Sequence, residues 1–162
     1  MDSTLSTTIA LEDSLTVDVS PVFRFMRPAC EVHSGTELLA FMSGSTWKRA
    51  GEIIAGNSCY HVGRSTMLLR GSQEVATYEI AERFMRLTRV HLVDLSSGRE
   101  FEFRQKRMWC GTLVLFESGL PVAEYVSKLF QSRYRIVAVK ETPESVLLLS
   151  IWLAVVAGVF RA

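Results

Sequence analysis

The chain has 162 residues, enough for one domain that buries roughly two-thirds of its unfolded surface and too few for a second independent core. Its 18 basic residues nearly cancel its 17 acidic ones, so no global field draws it onto nucleic acid or acidic lipid, and any such site must be local. Three widely spaced cysteines, Cys30, Cys59 and Cys110, point away from a disulfide framework and towards a reducing, cytoplasmic setting.

Residues 1–20 are rich in Ser, Thr and Asp and have neither the basic start nor the long apolar run of a secretory signal. They read as a loosely ordered N-terminal arm, with a short strand or turn near 8–17, ahead of a single barrel domain over 21–162. From Val22 onward, runs of strand-forming residues are broken by turn signals roughly every eight to twelve positions, the spacing of an all-β sandwich or barrel. The expected strands are 22–26, stopped at Pro28; 37–42; 47–54; 59–64; 66–70; 75–81; and a long segment, 84–95, ending at Ser96, Ser97 and Gly98. Residues 99–106 show the clearest alternation, with Phe101 and Phe103 on one side and Glu100, Glu102 and Arg104 on the other. Strands over 109–116, 122–130 and 134–140 complete a set of about eleven, although 122–130 also fits helical spacing. No βαβ rhythm occurs, which argues against a parallel sheet.

The tail is different in kind. Thr142 can cap a helix that starts at Pro143, and from Val146 to Phe160 only Ser150 and Gly158 interrupt the apolar residues. A helix apolar all round must be buried all round, in protein or in lipid. Fifteen helical residues reach about 22 Å, short of a hydrocarbon core of roughly 30 Å. Trp152 also sits in the middle of the run, where membrane tryptophans favour the interfaces. The expectation is therefore a core helix over 143–160, with a tail-anchored membrane protein as the alternative. A helix about 10 to 12 Å across needs a barrel wider than eight strands, whose own side chains already fill the interior. The fold expected is mainly β: an antiparallel closed barrel enclosing the hydrophobic C-terminal helix, with Leu148, Ile151, Trp152 and Val155 meeting the inward side chains.

Antiparallel strands, then Gly119-Leu120-Pro121-Val122-Ala123-Glu124-Tyr125-Val126, then Tyr134-Arg135-Ile136-Val137-Ala138-Val139 and a wholly apolar terminal helix, resemble the Tubby carboxy-terminal-like superfamily. The LURP-one-related proteins look nearest, with the phospholipid scramblases as relatives. The resemblance covers 41–162, is strongest from Arg99 onward, and rests on element order and hydropathy. It implies a barrel of twelve strands threaded by the terminal helix. It also implies binding of an anionic phospholipid or phosphoinositide, which Tubby domains hold through paired basic residues. The acidic calcium-ligating stretch of scramblase-like chains is replaced here by Lys140-Glu141-Thr142-Pro143-Glu144, too few oxygens for the six to eight that calcium takes.

Arginine density is the one charge feature above background. Arg83, Arg86 and Arg89 recur along one long strand, and Arg99, Arg104, Lys106 and Arg107 occupy the next. If these strands pair across Ser96 to Gly98, outward arginines form a basic patch able to fork onto phosphate or carboxylate groups. The competing reading is a solvated face balanced by Glu79, Glu82, Glu100 and Glu102, and the opposite parity of Arg83 and Arg86 counts against a single regular face. His33, His61 and His91 show no Cys or carboxylate at ligand spacing, so no metal site and no cofactor are expected. No phosphate loop, nucleophile elbow or Cys-His context is visible, so no catalytic residue is expected; Cys110 reads as a small core residue. The reading that follows is a non-enzymatic, cytoplasmic barrel, peripheral to a membrane, that binds a lipid head group or a protein partner and not nucleic acid. Its alternative is a homo-oligomeric interaction module without lipid binding.

Overall fold

In the computed structural model, residues 16–24, 27–70, 72–83, 87–106, 111–127, 134–138 and 141–160 are described. Twelve strands follow one another in the chain: β1 (Thr16–Arg24), β2 (Arg27–Ser34), β3 (Glu37–Ser45), β4 (Ala50–Ala55), β5 (Ser58–Val62), β6 (Thr66–Leu69), β7 (Gln73–Arg83), β8 (Leu87–Asp94), β9 (Glu100–Gln105), β10 (Leu113–Glu117), β11 (Leu120–Ser127) and β12 (Tyr134–Ala138). Each pairs antiparallel with its neighbour, and β1 closes the wall against β12 through Val17↔Ile136 and Val19↔Tyr134. Short turns suffice for such a meander. At β10–β11, Ser118 and Gly119 both take positive φ (52° and 79°), the backbone of a two-residue hairpin whose twist matches its strands.

The strand that sequence reading misses is β2. Pro28 is its second residue, opposite Phe23 of β1, but pairing with β3 begins only at Ala29↔Ser43. The missing N–H therefore interrupts no ladder on the β3 side, and proline there starts a strand instead of stopping one. The expected boundary between residues 20 and 21 also falls inside β1, so Thr16 to Ser20 belong to the wall. Trp47 lies in the β3–β4 turn and not in a strand; of the expected 122–130 segment, 122–127 belong to β11 and 128–130 lie outside the described residues. Trp109 and Cys110 lie outside the described residues.

Alternation sets the inside. Ala40 and Met42 on β3 and Phe101 and Phe103 on β9 are buried, as are Val122 and Tyr125 on β11, where the register against β10 shifts at Val122, whereas Glu79, His91 and Glu102 stand on the outer face of adjacent strands. A barrel that crosses a membrane needs the reverse, an apolar belt outside. The lumen is filled by α1 (Glu144–Ile151), which continues as a π-helical turn over Trp152–Val156. Every residue from Val146 to Ala157 is buried, including Leu148, Ile151, Trp152 and Val155, so the tail is a core helix. No helix of the described residues is long and apolar enough to cross a membrane.

The helix ends sooner and starts later than expected. Pro143 occupies the cap position with no side-chain cap, and Leu147 N donates to Pro143 O at 3.0 Å to open the first turn. At the other end Gly158 takes φ +63° while Val159 N reaches back to Leu153 O at 3.0 Å, a left-handed stop that glycine accepts without strain. Ser150, the polar residue of the rod, donates to Leu147 O at 2.7 Å and accepts from the Tyr125 hydroxyl at 2.6 Å, so no polar atom of its side chain is stranded in the core.

Candidate functional site

The β8–β9 pairing across Ser96 to Gly98 forms as the sequence implies, with Arg89 directly opposite Arg104. The arginines do not share one long strand, however: Arg83 closes β7, Arg89 is on β8, and Arg86 and Arg107 lie outside the described residues. On the outer face Glu102 takes both guanidiniums, Arg104 Nε at 3.0 Å and Arg89 Nη1 at 3.7 Å. Arg104 also stacks over the Phe116 ring at 4.3 Å, and Lys106 Nζ meets Glu124 at 3.1 Å. The patch is thus partly balanced, as the competing reading holds, but through Glu102 and Glu124. Glu102 is shared between two facing guanidiniums, and Arg89 Nε is buried without a hydrogen-bond partner. A groove of about 300 Å³ beside Arg104 is lined by Glu100 and Glu102 as well as by Arg104, His91 and Phe116.

The barrel's two ends differ in charge. Because antiparallel strands alternate, the turns after β1, β3, β5, β7 and β9 lie at one end, and the turns after β2, β4, β6, β8 and β10 at the other. The first end carries Arg24 and Arg27 at strand termini, Lys48 and Arg49 in the β3–β4 turn, Arg64 in the β5–β6 turn, Arg83 ending β7, and Lys106 just past β9. Among the described residues, none of its turn or strand-terminal positions is acidic. The second end carries Glu37, Asp94, Glu100, Glu117, Glu141 and Glu144, against Arg70 and Arg99. The overall balance of charge conceals this polarity along the barrel axis. At the tip of the basic end Trp47 is 95% exposed, between Thr46 and Lys48.

The opposite, acidic end is tied down by hydrogen bonds. Asp94, buried at the end of β8, accepts from Ser96 Oγ (2.9 Å), Ser97 N (3.2 Å), Ser97 Oγ (2.5 Å) and Ser145 Oγ (2.9 Å), joining the β8–β9 turn to the start of α1. Burial opposes its charge, but these donors outweigh burial and hold the carboxyl below its usual range. Arg99 forks onto Glu117 at 2.6 and 3.1 Å and reaches Glu141 O at 3.2 Å.

At the basic end, β3 and β4 make a thin place in the wall. Gly44 and Gly51 pair across the two strands at inward positions, and the Trp152 indole lies beneath them, its Nε1 donating to Ser43 O at 3.1 Å. A Cβ on Gly51 would come within 2.7 Å of the indole and still closer to Ser43 O. Thr46 Oγ1, in the adjoining turn, donates to Val156 O at 3.2 Å near the end of the rod. Outside this wall runs a groove of about 570 Å³ bordered by Trp47, Lys48, Glu52 and His61.

At the edge of that groove, where Glu52 and His61 border it, lies an arrangement that sequence reading missed. Cys59 and His61 are two apart on β5 and share its outer face, and Glu52 stands opposite His61 on β4. Their ligating atoms all lie within 4.8 Å of one another, with Cys59 Sγ donating to Glu52 Oε1 at 3.1 Å. The expectation that His61 has no cysteine or carboxylate at ligand spacing is therefore wrong. The bond to Glu52 pushes the half-buried Cys59 thiol up. By contrast, burial, reinforced by Glu31, takes Cys30 in the core to about 12, which leaves it an inert packing group. Searches against family models, curated proteins and solved structures give no match to this chain.

Proposed function

We propose that this protein is a non-enzymatic Tubby-like barrel that docks on anionic membrane surfaces with its basic end and takes a phosphorylated head group between Arg89 and Arg104. The carrying observation is the segregation of charge by barrel end, with an almost fully exposed tryptophan at the cationic tip. Each basic residue near an anionic bilayer contributes about 1 kcal/mol, and an indole prefers the interface between head groups and chains. The two guanidiniums around Glu102 supply fork-shaped donors for phosphate oxygens. The lumen is occupied by the protein's own helix, so the working surface of this barrel is its outside.

Flotation with phosphatidylserine- or phosphoinositide-containing vesicles, beside neutral vesicles and at two salt concentrations, tests the reading. We expect anionic vesicles alone to carry the protein, less at high salt, and Lys48→Glu with Arg64→Glu to reduce flotation further. Equal absence from all vesicles would overturn it. A stable oligomer by light scattering would then favour a protein-interaction module.

A further inference from the structure

We propose that Glu52, Cys59 and His61 bind a divalent metal ion of the zinc class on the outer face of β4–β5. The donor set is one thiolate, one imidazole and one carboxylate, each of which zinc accepts. A tetrahedral ion with such bonds holds its ligand atoms roughly 3.3 to 3.8 Å apart; here all three lie within 4.8 Å and the Cys59–Glu52 pair is already at 3.1 Å. Small side-chain rotations close the set, because the backbone has placed it: Glu52↔His61 is a direct cross-strand pair and Cys59 is on the same side two residues back. On binding, the thiol proton now shared between Cys59 Sγ and Glu52 leaves to solvent, and the metal takes its place between them; nothing is oxidised or reduced. Three protein ligands leave the fourth position open, and two of the three, Glu52 and His61, also border the 570 Å³ groove. Water or a donor atom from a bound molecule completes the shell there.

Two neighbours make this cluster better suited than a chance surface trio. The wall beneath it is fixed by the Gly44–Gly51 pair seated on Trp152, so the strands carrying the ligands are held by the core. The thiol is half-buried and not sealed off, unlike Cys30, so an ion can reach it.

The test uses the full chain, reduced, stripped with a chelator and titrated with Co2+ under absorption spectroscopy. One equivalent is expected to raise a thiolate-to-cobalt charge-transfer band with visible ligand-field bands of four-coordinate intensity, and Zn2+ should displace it. Cys59→Ser should abolish the charge-transfer band while circular dichroism and Tm of the metal-free protein stay unchanged. His61→Asn and Glu52→Gln should each weaken Co2+ by at least the roughly 10- to 100-fold that loss of even a supporting group costs. Zn2+ should raise the Tm of the wild type and not that of Cys59→Ser. Absence of the band, or a band that survives Cys59→Ser, would overturn the proposal. Because the readout is spectroscopic and needs no lipid, it stands or falls separately from membrane docking.

Discussion

The two ends of the barrel hold the same helix by different means. At the acidic end the start of α1 is fastened by polar bonds: Ser145 to Asp94, and Arg99 to Glu117 and Glu141. At the basic end the rod is fastened by shape, with Trp152 under a pair of glycines and single hydrogen bonds from its indole to Ser43 and from Thr46 to Val156. The contrast explains the division of labour proposed above. At the acidic end Asp94 and Glu117 are engaged in an internal network, whereas the basic end presents an almost fully exposed Trp47 and an outer groove. At the packed end the rod finishes in a π-helical turn over Trp152–Val156, where Ala157 N bonds Trp152 O at 3.0 Å. Such a widened turn re-aims the side chains of the last part of the rod.

The largest effect expected from breaking the comparison is at the packed end. Trp152→Ala removes a fully buried indole from beneath a wall that cannot collapse, and should destabilise by about 3 to 5 kcal/mol. Denaturant unfolding measures it, and an unchanged midpoint would show that shape does not hold this end. Gly51→Ala attacks the same contact from the other side and should cost about 1 to 3 kcal/mol by overpacking. In a Trp152→Ala background the cost should shrink but not vanish, since Ser43 O also blocks the new methyl. Additive costs in that cycle would mean that the glycines and the indole are independent.

How far these features are legible in the sequence depends on which interactions set them. The buried rod is plain because no phase of 146–160 offers a polar stripe, and the outer and inner faces of β9 follow from strict alternation. The glycine window is not legible, because nothing in the chain says that Gly44 and Gly51 face each other over Trp152 until register is known. The charge polarity is lost for a sharper reason. Net charge says nothing of which turns share an end; that follows only once the chain is known to be an unbroken antiparallel meander, and the misread proline misplaces β1 and its turn in it. The metal-ligand trio was within reach. A two-residue turn at Gly56-Asn57, with Gly56 at φ +58°, sets Ala55 opposite Ser58 and therefore Glu52 opposite His61. Searching for ligands at helical or knuckle spacing overlooks a pair two apart on a strand.

A smaller effect sharpens the comparison at the polar end. Asp94 has a folded pKa below its unfolded value, so its contribution is complete above the ordinary carboxylate range, near pH 4, and is lost as pH falls through the lower folded value. Glu144 works in the opposite sense: burial raises its pKa, so protonation on acidification relieves the fold at a higher pH than the one at which Asp94 fails. Asp94→Asn should cost about 1 to 3 kcal/mol at neutral pH, the scale of stranding buried donors, and should flatten the acid limb of a stability-against-pH profile. Glu144→Gln should leave that limb in place. An Asp94→Asn profile parallel to the wild type would mean that the serines, and not the charge, do the fastening.

The smallest effect on stability is expected where the functional effect is largest. Trp47 is 95% exposed in a turn, so Trp47→Ala should change unfolding free energy by no more than about 0.5 kcal/mol, the usual range for surface positions. On anionic vesicles the same variant should lose most of the flotation of the wild type, because the basic residues that remain bring the barrel to the surface but nothing then inserts at the interface. Fluorescence in a Trp109→Phe background gives an independent readout: vesicle binding should shift emission to shorter wavelength, and adding Trp47→Phe should remove the shift, since the remaining Trp152 is already buried and cannot report further desolvation. A blue shift that persists in that double variant would place the contact elsewhere on the wall and leave the basic end without its anchor.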